Sequence, residues 1–295
     1  MLDYRGIEAL YTVQELQSFE AAAKKLHITQ SAVSQRIKGL ESYYGEPVLI
    51  RTPPYRPTEL GKHLIGHFKQ ICLLEDSLAA EMGSSLAKPR ISIAINRDSL
   101  ETWFLALIEE TTTFSSVMLE VIADDQERTL DYFKNGLASA CLSTSAKGAA
   151  GSHVAFLGNM EYLLVASPSF KKEHFGKGDI KKNLLEAPAI KFDQNDILHE
   201  RYLEKYFGLN GNEVNYQIIP SVQGFKKYAL LGYGYCLIPK IDIQVELKKK
   251  QLVLLSDKAW SVPLYWHYWA LESPFYQKFN TDIILHASKK LDLNS

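Results

Sequence analysis

Gln30, Ser31, Ser34, Gln35 and Lys38 recur at spacings that put them on one face of a helix, beginning in its first turn. Short hydrogen-bonding side chains in the N-terminal half of a helix are the groups that read base edges in a DNA major groove. Gln suits adenine, and Ser suits either phosphate or base. Downstream, Arg51 precedes the turn PPYRP and Arg56 lies within it, on a hairpin, a place from which cations reach phosphates or the minor groove. A second constellation gathers in the last two hundred residues. Asp98, Asp124, Asp193, Ser99, Ser143, Thr144 and Ser221 lie after apolar, strand-like runs, where open α/β sheets place small ligands. Each has a plainer reading: the helix face as a solvated surface of a three-helix bundle, the Asp and Ser residues as helix caps or loop residues.

The elements that must carry these residues are legible in the apolar periodicity. A helix is expected over residues 3–16, with Ile7, Leu10 and Tyr11 on one face. Ser18 caps a second, whose stripe is Phe19, Ala22, Ala23 and Leu26, small enough for close approach of a neighbour. Thr29 caps a third, with Val33, Ile37, Leu40 and Tyr44 inward. A short turn between the second and third makes a helix-turn-helix, and PVLI followed by PPYRP makes a wing. Residues 58–82 then form a long helix with an imperfect seam, Leu64, Phe68, Ile71, Leu74 or Glu75, Leu78 and Met82. A seam of that length pairs with a copy of itself or packs on the following domain. GSSLAK before Pro89 ends the helix and marks a hinge.

Beyond the hinge, strands and helices alternate. ISIAI, MLEVIA, ASACLS and YLLVAS form a first βα set; AIKF, NYQII and YCLIP form a second; VPLYWHYWAL and a closing helix from Pro274 finish the chain. The fold class is therefore α/β overall: an N-terminal winged helix-turn-helix (1–57), a linker helix and hinge (58–88), and a two-lobed, periplasmic-binding-protein-like effector domain (89–295). Lobe 1 is expected at about 89–165 and 266–295, and lobe 2 at about 166–265.

Composition closes other routes. A chain of 295 residues, 46% hydrophobic and 23% charged, fits two globular domains rather than a disordered or collagen-like chain. A net charge of −1 means that DNA contact comes from local clustering. Cys72, Cys141 and Cys236 show neither disulfide nor zinc spacing. The charged N-terminus is unlike a secretory signal, and no apolar run is long enough to span a bilayer, so a cytoplasmic protein without membrane contact is expected. GYGYC lacks the context of a dinucleotide fingerprint, and no P-loop, HExxH or GxSxG occurs. No catalytic residue, cofactor or metal site is assigned. His267, in an alternating WHYW strand, reads as a core residue, and Lys248–Lys250 as a solvated helix end.

The stretch from Ser18 to Gly61 closely resembles the winged helix-turn-helix of the LysR-type transcriptional regulators. The resemblance is carried by Phe19, Ala22, Ala23, Leu26, Gln30 to Ser34, Ile37, Leu40, Glu41, Leu49, Arg51, Thr58 and Gly61. The wording ITQSAVSQRIKGLE and RTPPYRPTE, with AINRDSLETW, ALLGYGYCLIP and LYWHYWALES further on, is similar to the arginine- and lysine-responsive subgroup. That resemblance implies a regulator of amino-acid export or metabolism genes. It also implies double-stranded DNA and lysine or arginine as partners, an antiparallel dimer helix at 58–82, and a homodimer or homotetramer. A basic amino acid needs its α-carboxylate met by hydroxyls and backbone N–H groups, which Ser99, Ser143, Thr144 and Ser221 could supply, and its cationic end met by Asp98, Asp124 or Asp193. Two alternatives stand beside it: a chromosome-associated DNA-binding protein without an effector, and an enzyme acting on a small amino acid in the interlobe cleft.

Overall fold

Three capped helices open the chain. Asp3 accepts the N–H of Gly6 at 3.1 Å and starts α1 (Tyr4–Leu16). Ser18 accepts the N–H of Ala21 and starts α2 (Phe19–Lys25). Thr29 accepts the N–H of Ala32 and starts α3 (Gln30–Tyr44), which Gly45 closes in the left-handed region at φ 72°. The structure is a computed structural model that describes residues 2–82, 88–126 and 128–291. The expected break at 83–88 lies, except for Lys88, outside the described residues.

Ile7, Leu10 and Val13 of α1 meet Ala22 of α2 and Val33, Ile37 and Leu40 of α3 in one buried cluster. Full burial of such a side chain contributes about 1.5–3 kcal/mol, enough to hold α3 with its polar face outward. The wing is a two-stranded antiparallel hairpin, β1 (Leu49–Ile50) with β2 (Arg56–Pro57). Then comes α4 (Glu59–Glu81), 23 residues long. Its expected seam divides. Leu64 and Phe68 turn inward to the helix-turn-helix core, whereas Leu74, Leu78 and Met82 are 42%, 58% and 72% exposed.

After α4 the elements follow in the order β3 (Arg90–Asn96), α5 (Arg97–Ser99), a π-helical turn Leu100–Phe104, α6 (Leu105–Glu110), β4 (Met118–Asp124), α7 (Thr129–Lys134), β5 (Ala140–Ser143) and β6 (Ser152–Ala166). The chain continues with α8 (Pro168–His174), α9 (Ile180–Glu186), β7 (Ala189–Lys191), α10 (Leu198–Phe207), β8 (Tyr216–Ile218), α11 (Val222–Leu231), β9 (Cys236–Pro239), α12 (Gln244–Lys248), β10 (Val253–Trp269) and α13 (Pro274–Lys290). The strands overlap the apolar runs of the sequence, but β6 and β10 begin about ten residues before YLLVAS and VPLYWHYWAL. Helices α8 and α9 do not appear in the periodicity reading, although Ser167 with Pro168, and Asp179, are ordinary start signals.

The chain groups into two units. Unit 1 comprises Met1–Asn96, Thr111–Ala155 and Trp266–Ile283. Its strands run β4–β3–β5–β10, with β3 parallel to both β4 and β5. Within this unit α4 is seated on the turn after α7. A Cβ on Gly66 would lie 2.3 Å from the carbonyl oxygen of Asn135, so only glycine permits the approach. Lys69 Nζ donates to Leu137 O at 3.1 Å, and the buried hydroxyls of Ser77 and Ser273 lie 2.5 Å apart. Unit 2 comprises Arg97–Glu110, Phe156–Tyr265 and Ile284–Ser295. There β9 pairs antiparallel with β6, β7 lies parallel to β8, and Val165, Ile190, Phe225, Cys236 and Ile238 share one core. No described helix is long and apolar enough to cross a membrane.

Candidate DNA interface and effector residues

The N-cap at Thr29 directs the first turn of α3 outward. Gln30, Ser31, Gln35 and Lys38 are exposed and Ser34 is half-buried, so all five side chains selected by spacing share the face that the buried Val33, Ile37 and Leu40 leave open. The wing is fastened beside them. Thr58 Oγ1 donates to Pro47 O at 2.7 Å, and Gln17 Nε2 donates to Tyr55 O at 2.8 Å. Arg51 has a partner that the sequence reading did not foresee: its Nη2 lies 2.8 Å from Glu41 Oε2 on α3. The same carboxylate accepts the N–H of Val48 at 3.4 Å. Arg51 therefore ties the wing to α3, while Arg56 stands exposed on β2.

In unit 1 the parallel register sets Asn96 opposite Asp124, and Ala94 opposite Cys141 two residues before Ser143. Asp124 and Ser143 thus end the two strands that flank β3, the position that suits a ligand. The Asp124 carboxylate is already engaged within its own segment. It accepts the Asp125 N–H at 2.8 Å and the Tyr132 hydroxyl at 2.8 Å, and it lies 3.5 Å from Arg128 Nη1. Accepting that hydrogen bond, with partial burial, pushes the Tyr132 phenol up. Ser143 is buried and accepts the N–H of Ser145 at 3.1 Å; Thr144 beside it is half-buried. His267 is a core residue, with Nε2 2.8 Å from Ser145 O and its pKa lowered by burial.

Unit 2 holds the other candidates. Asp98 Oδ2 accepts the Tyr162 hydroxyl at 2.7 Å. Ser99 is fully buried, and its Oγ has no hydrogen-bond partner among the described residues. Both residues sit just before the π-helical turn at Leu100–Phe104, a local distortion that often marks functional segments. Asp193 and Ser221 follow the C-terminal ends of the parallel pair β7 and β8, where Lys191 is opposite Ile218. Ser221 Oγ accepts the N–H of Gly224 and caps α11. Asp193 faces a cation: Arg97 Nη1 lies 3.6 Å from its Oδ2.

Beneath that surface lies a buried polar layer absent from the sequence reading. Lys191 Nζ is 2.5 Å from Glu200 Oε1 and 4.7 Å from the centre of the Tyr216 ring. Burial pushes the Asp196 carboxyl up. It depresses the His199 imidazole to about 3. Lys191, the neutral His199 and the Tyr216 ring lie together at the base of the turn that carries Phe192 and Asp193. Arg97 and Phe192 were missed as well. Their only signal was adjacency to Asp98 and Asp193. Among the described residues, no group of three or more His, Cys, Asp or Glu is placed to hold a metal ion.

Comparison with known proteins gives this geometry a context. Residues 4–62 match a family described as "Bacterial regulatory helix-turn-helix protein, lysR family". The chain is 41% identical over 293 residues to the HTH-type transcriptional regulator ArgP of Vibrio cholerae, covering 98% of each. Among solved structures it is similar to ArgP of Mycobacterium tuberculosis, with TM-score 0.88, 34% identity and all of both chains covered. It is also similar to full-length LysG of Corynebacterium glutamicum with bound effector Arg, with TM-score 0.78, 30% identity, and 99% of this chain and 100% of that one covered.

Proposed function

The chain belongs to the LysR-type family of bacterial transcriptional regulators, and from that premise we propose that it regulates transcription in response to a basic amino acid, lysine or arginine. The observation that carries the reading is end-to-end similarity to a regulator solved with bound effector Arg, including the portion beyond the helix-turn-helix. The α3 face of Gln30, Ser31, Ser34, Gln35 and Lys38 reads the major groove, and Arg51 and Arg56 on the wing meet phosphates or the minor groove. Residues 1–57 form the reading head, 58–88 the connection and 89–295 the sensing module. The protein works in the cytoplasm on amino-acid export or metabolism genes. The exposed row of Leu74 and Leu78 on α4 and Met82 just after it supports self-association of the chain.

Within the sensing module the hydroxyls of Ser99, Ser143, Thr144 and Ser221 serve the ligand's α-carboxylate, and Asp98, Asp124 and Asp193 are the candidates for its cation. The relatives are named as regulators, which speaks against the enzyme reading.

Footprinting of genomic fragments selected by the pure protein, at fixed salt, tests the proposal. A discrete palindromic protection that changes length or occupancy with lysine or with arginine is expected. Broad, salt-labile protection that ignores both amino acids would leave a DNA-binding protein without this effector.

A further inference from the structure

Unit 2 already holds a guanidinium against a carboxylate, and the guanidinium is the chain's own. Arg97 Nη1 lies 3.6 Å from Asp193 Oδ2, and its guanidinium carbon lies 4.9 Å from the centre of the Phe192 ring. The acceptor side of this contact is fixed. Asp193 Oδ1 takes the N–H groups of Asn195 at 2.8 Å and Asp196 at 3.0 Å, which orients the carboxylate and leaves Oδ2 to the cation. The turn is closed from below, because Asp196 accepts the N–H of Phe192 at 3.2 Å and of Leu198 at 3.1 Å.

The donor side is loose. A separation of 3.6 Å exceeds that of a charge-assisted hydrogen bond, about 2.7–2.9 Å, and the two side chains keep 40% and 36% of their surface exposed. A rigid aromatic face beside a rigid carboxylate is what a planar, delocalised cation requires. A compact ammonium uses the carboxylate alone and gains less from the ring.

We propose that Phe192 and Asp193 form the seat for the side chain of a guanidinium-bearing amino acid, with Arg97 as its intramolecular occupant, so that free arginine binds by displacing Arg97. This rests on the reading that the module senses a basic amino acid, and it names arginine over lysine as the better fit. An internal occupant competes for the seat and scales the apparent affinity of the ligand down to the fraction of time the seat is free.

The test is titration calorimetry of the full-length protein with L-arginine and L-lysine, for the wild type, Arg97→Met, Asp193→Asn, the double variant and Phe192→Leu. Arg97→Met should bind arginine about five-fold more tightly, the size set by a half-exposed ion pair. The gain should vanish in the Asp193→Asn background, where the seat no longer holds Arg97. A gain of equal size in that background would mean that Arg97 acts only by through-space repulsion, and the occupant role would be overturned. Phe192→Leu should weaken arginine about five-fold while changing lysine less than about two-fold; equal losses would remove the guanidinium preference. If the wild type binds arginine and Arg97→Met does not improve it, the seat fails and the sensing function stands. If the wild type binds neither amino acid, both fail.

Discussion

Substitution of Gly66 by Ala tests how the DNA-reading end of the chain is attached to the sheet of unit 1. In a solvated helix interior the change from Gly to Ala is stabilising by about 1 kcal/mol. At Gly66 the added methyl would sit 2.3 Å from Asn135 O and 2.6 Å from Gly136 Cα. Both obstacles are backbone, and no rotamer change clears them, so α4 must shift by about 1 Å to restore ordinary contact. Overpacking of this kind costs about 1–3 kcal/mol, and contact with rigid backbone on both sides argues for the upper end. The net expectation is destabilisation by about 2 kcal/mol, a fall in Tm of about 4–8 °C.

Gly39 on α3 supplies the control. It too is within a helix, but a Cβ there meets nothing within 4 Å. Gly39→Ala should therefore raise Tm by about 2–4 °C. Calorimetric scans at one protomer concentration compare the two variants under identical conditions. A rise in Tm for Gly66→Ala equal to that for Gly39→Ala would refute the reasoning, because it would mean that α4 does not rest on the 135–136 turn in solution.

Two further outcomes are expected. Gln35→Ala should weaken binding to the specific site more than binding to random DNA, whereas Lys38→Ala should weaken both and reduce the salt slope by about 1; equal losses at both DNAs for Gln35→Ala in gel-shift titrations would deny it a reading role. His199 is neutral in the folded chain down to about pH 3 because burial depresses it, while in the unfolded chain it takes a proton near pH 6.5. The unfolded state therefore binds the extra proton between those values, and stability falls as pH drops through that window, by about 3 kcal/mol at pH 4.5 from this group. His199→Phe keeps a ring against Tyr216 and Tyr235 and should lose that much less stability between pH 7 and 4.5 in urea titrations; parallel pH slopes in the two proteins would exclude the assignment.

Why some of this was legible in the sequence and some was not follows from the range of the interactions. The caps at Ser18 and Thr29 and the stripe Val33, Ile37, Leu40 are local, so spacing alone located the outward face of α3 and its five side chains. Strand ends are nearly as local, and the placing of Asp124, Ser143, Asp193 and Ser221 after them needed no tertiary contact. What stayed hidden depends on residues far apart in the chain. Arg97 meets Asp193 across 96 positions of sequence, and Gly66 meets Asn135 across 69; neither arginine nor glycine carries any periodic signal. The α4 seam shows the boundary between the two cases. Its heptad spacing was readable, but the division into an inward half at Leu64 and Phe68 and an outward half at Leu74, Leu78 and Met82 is imposed by what lies alongside. The outward half is the part free to meet another surface. Polar substitution there should disturb association of the chain with itself, whereas the same change at Leu64 should cost the fold of the reading head.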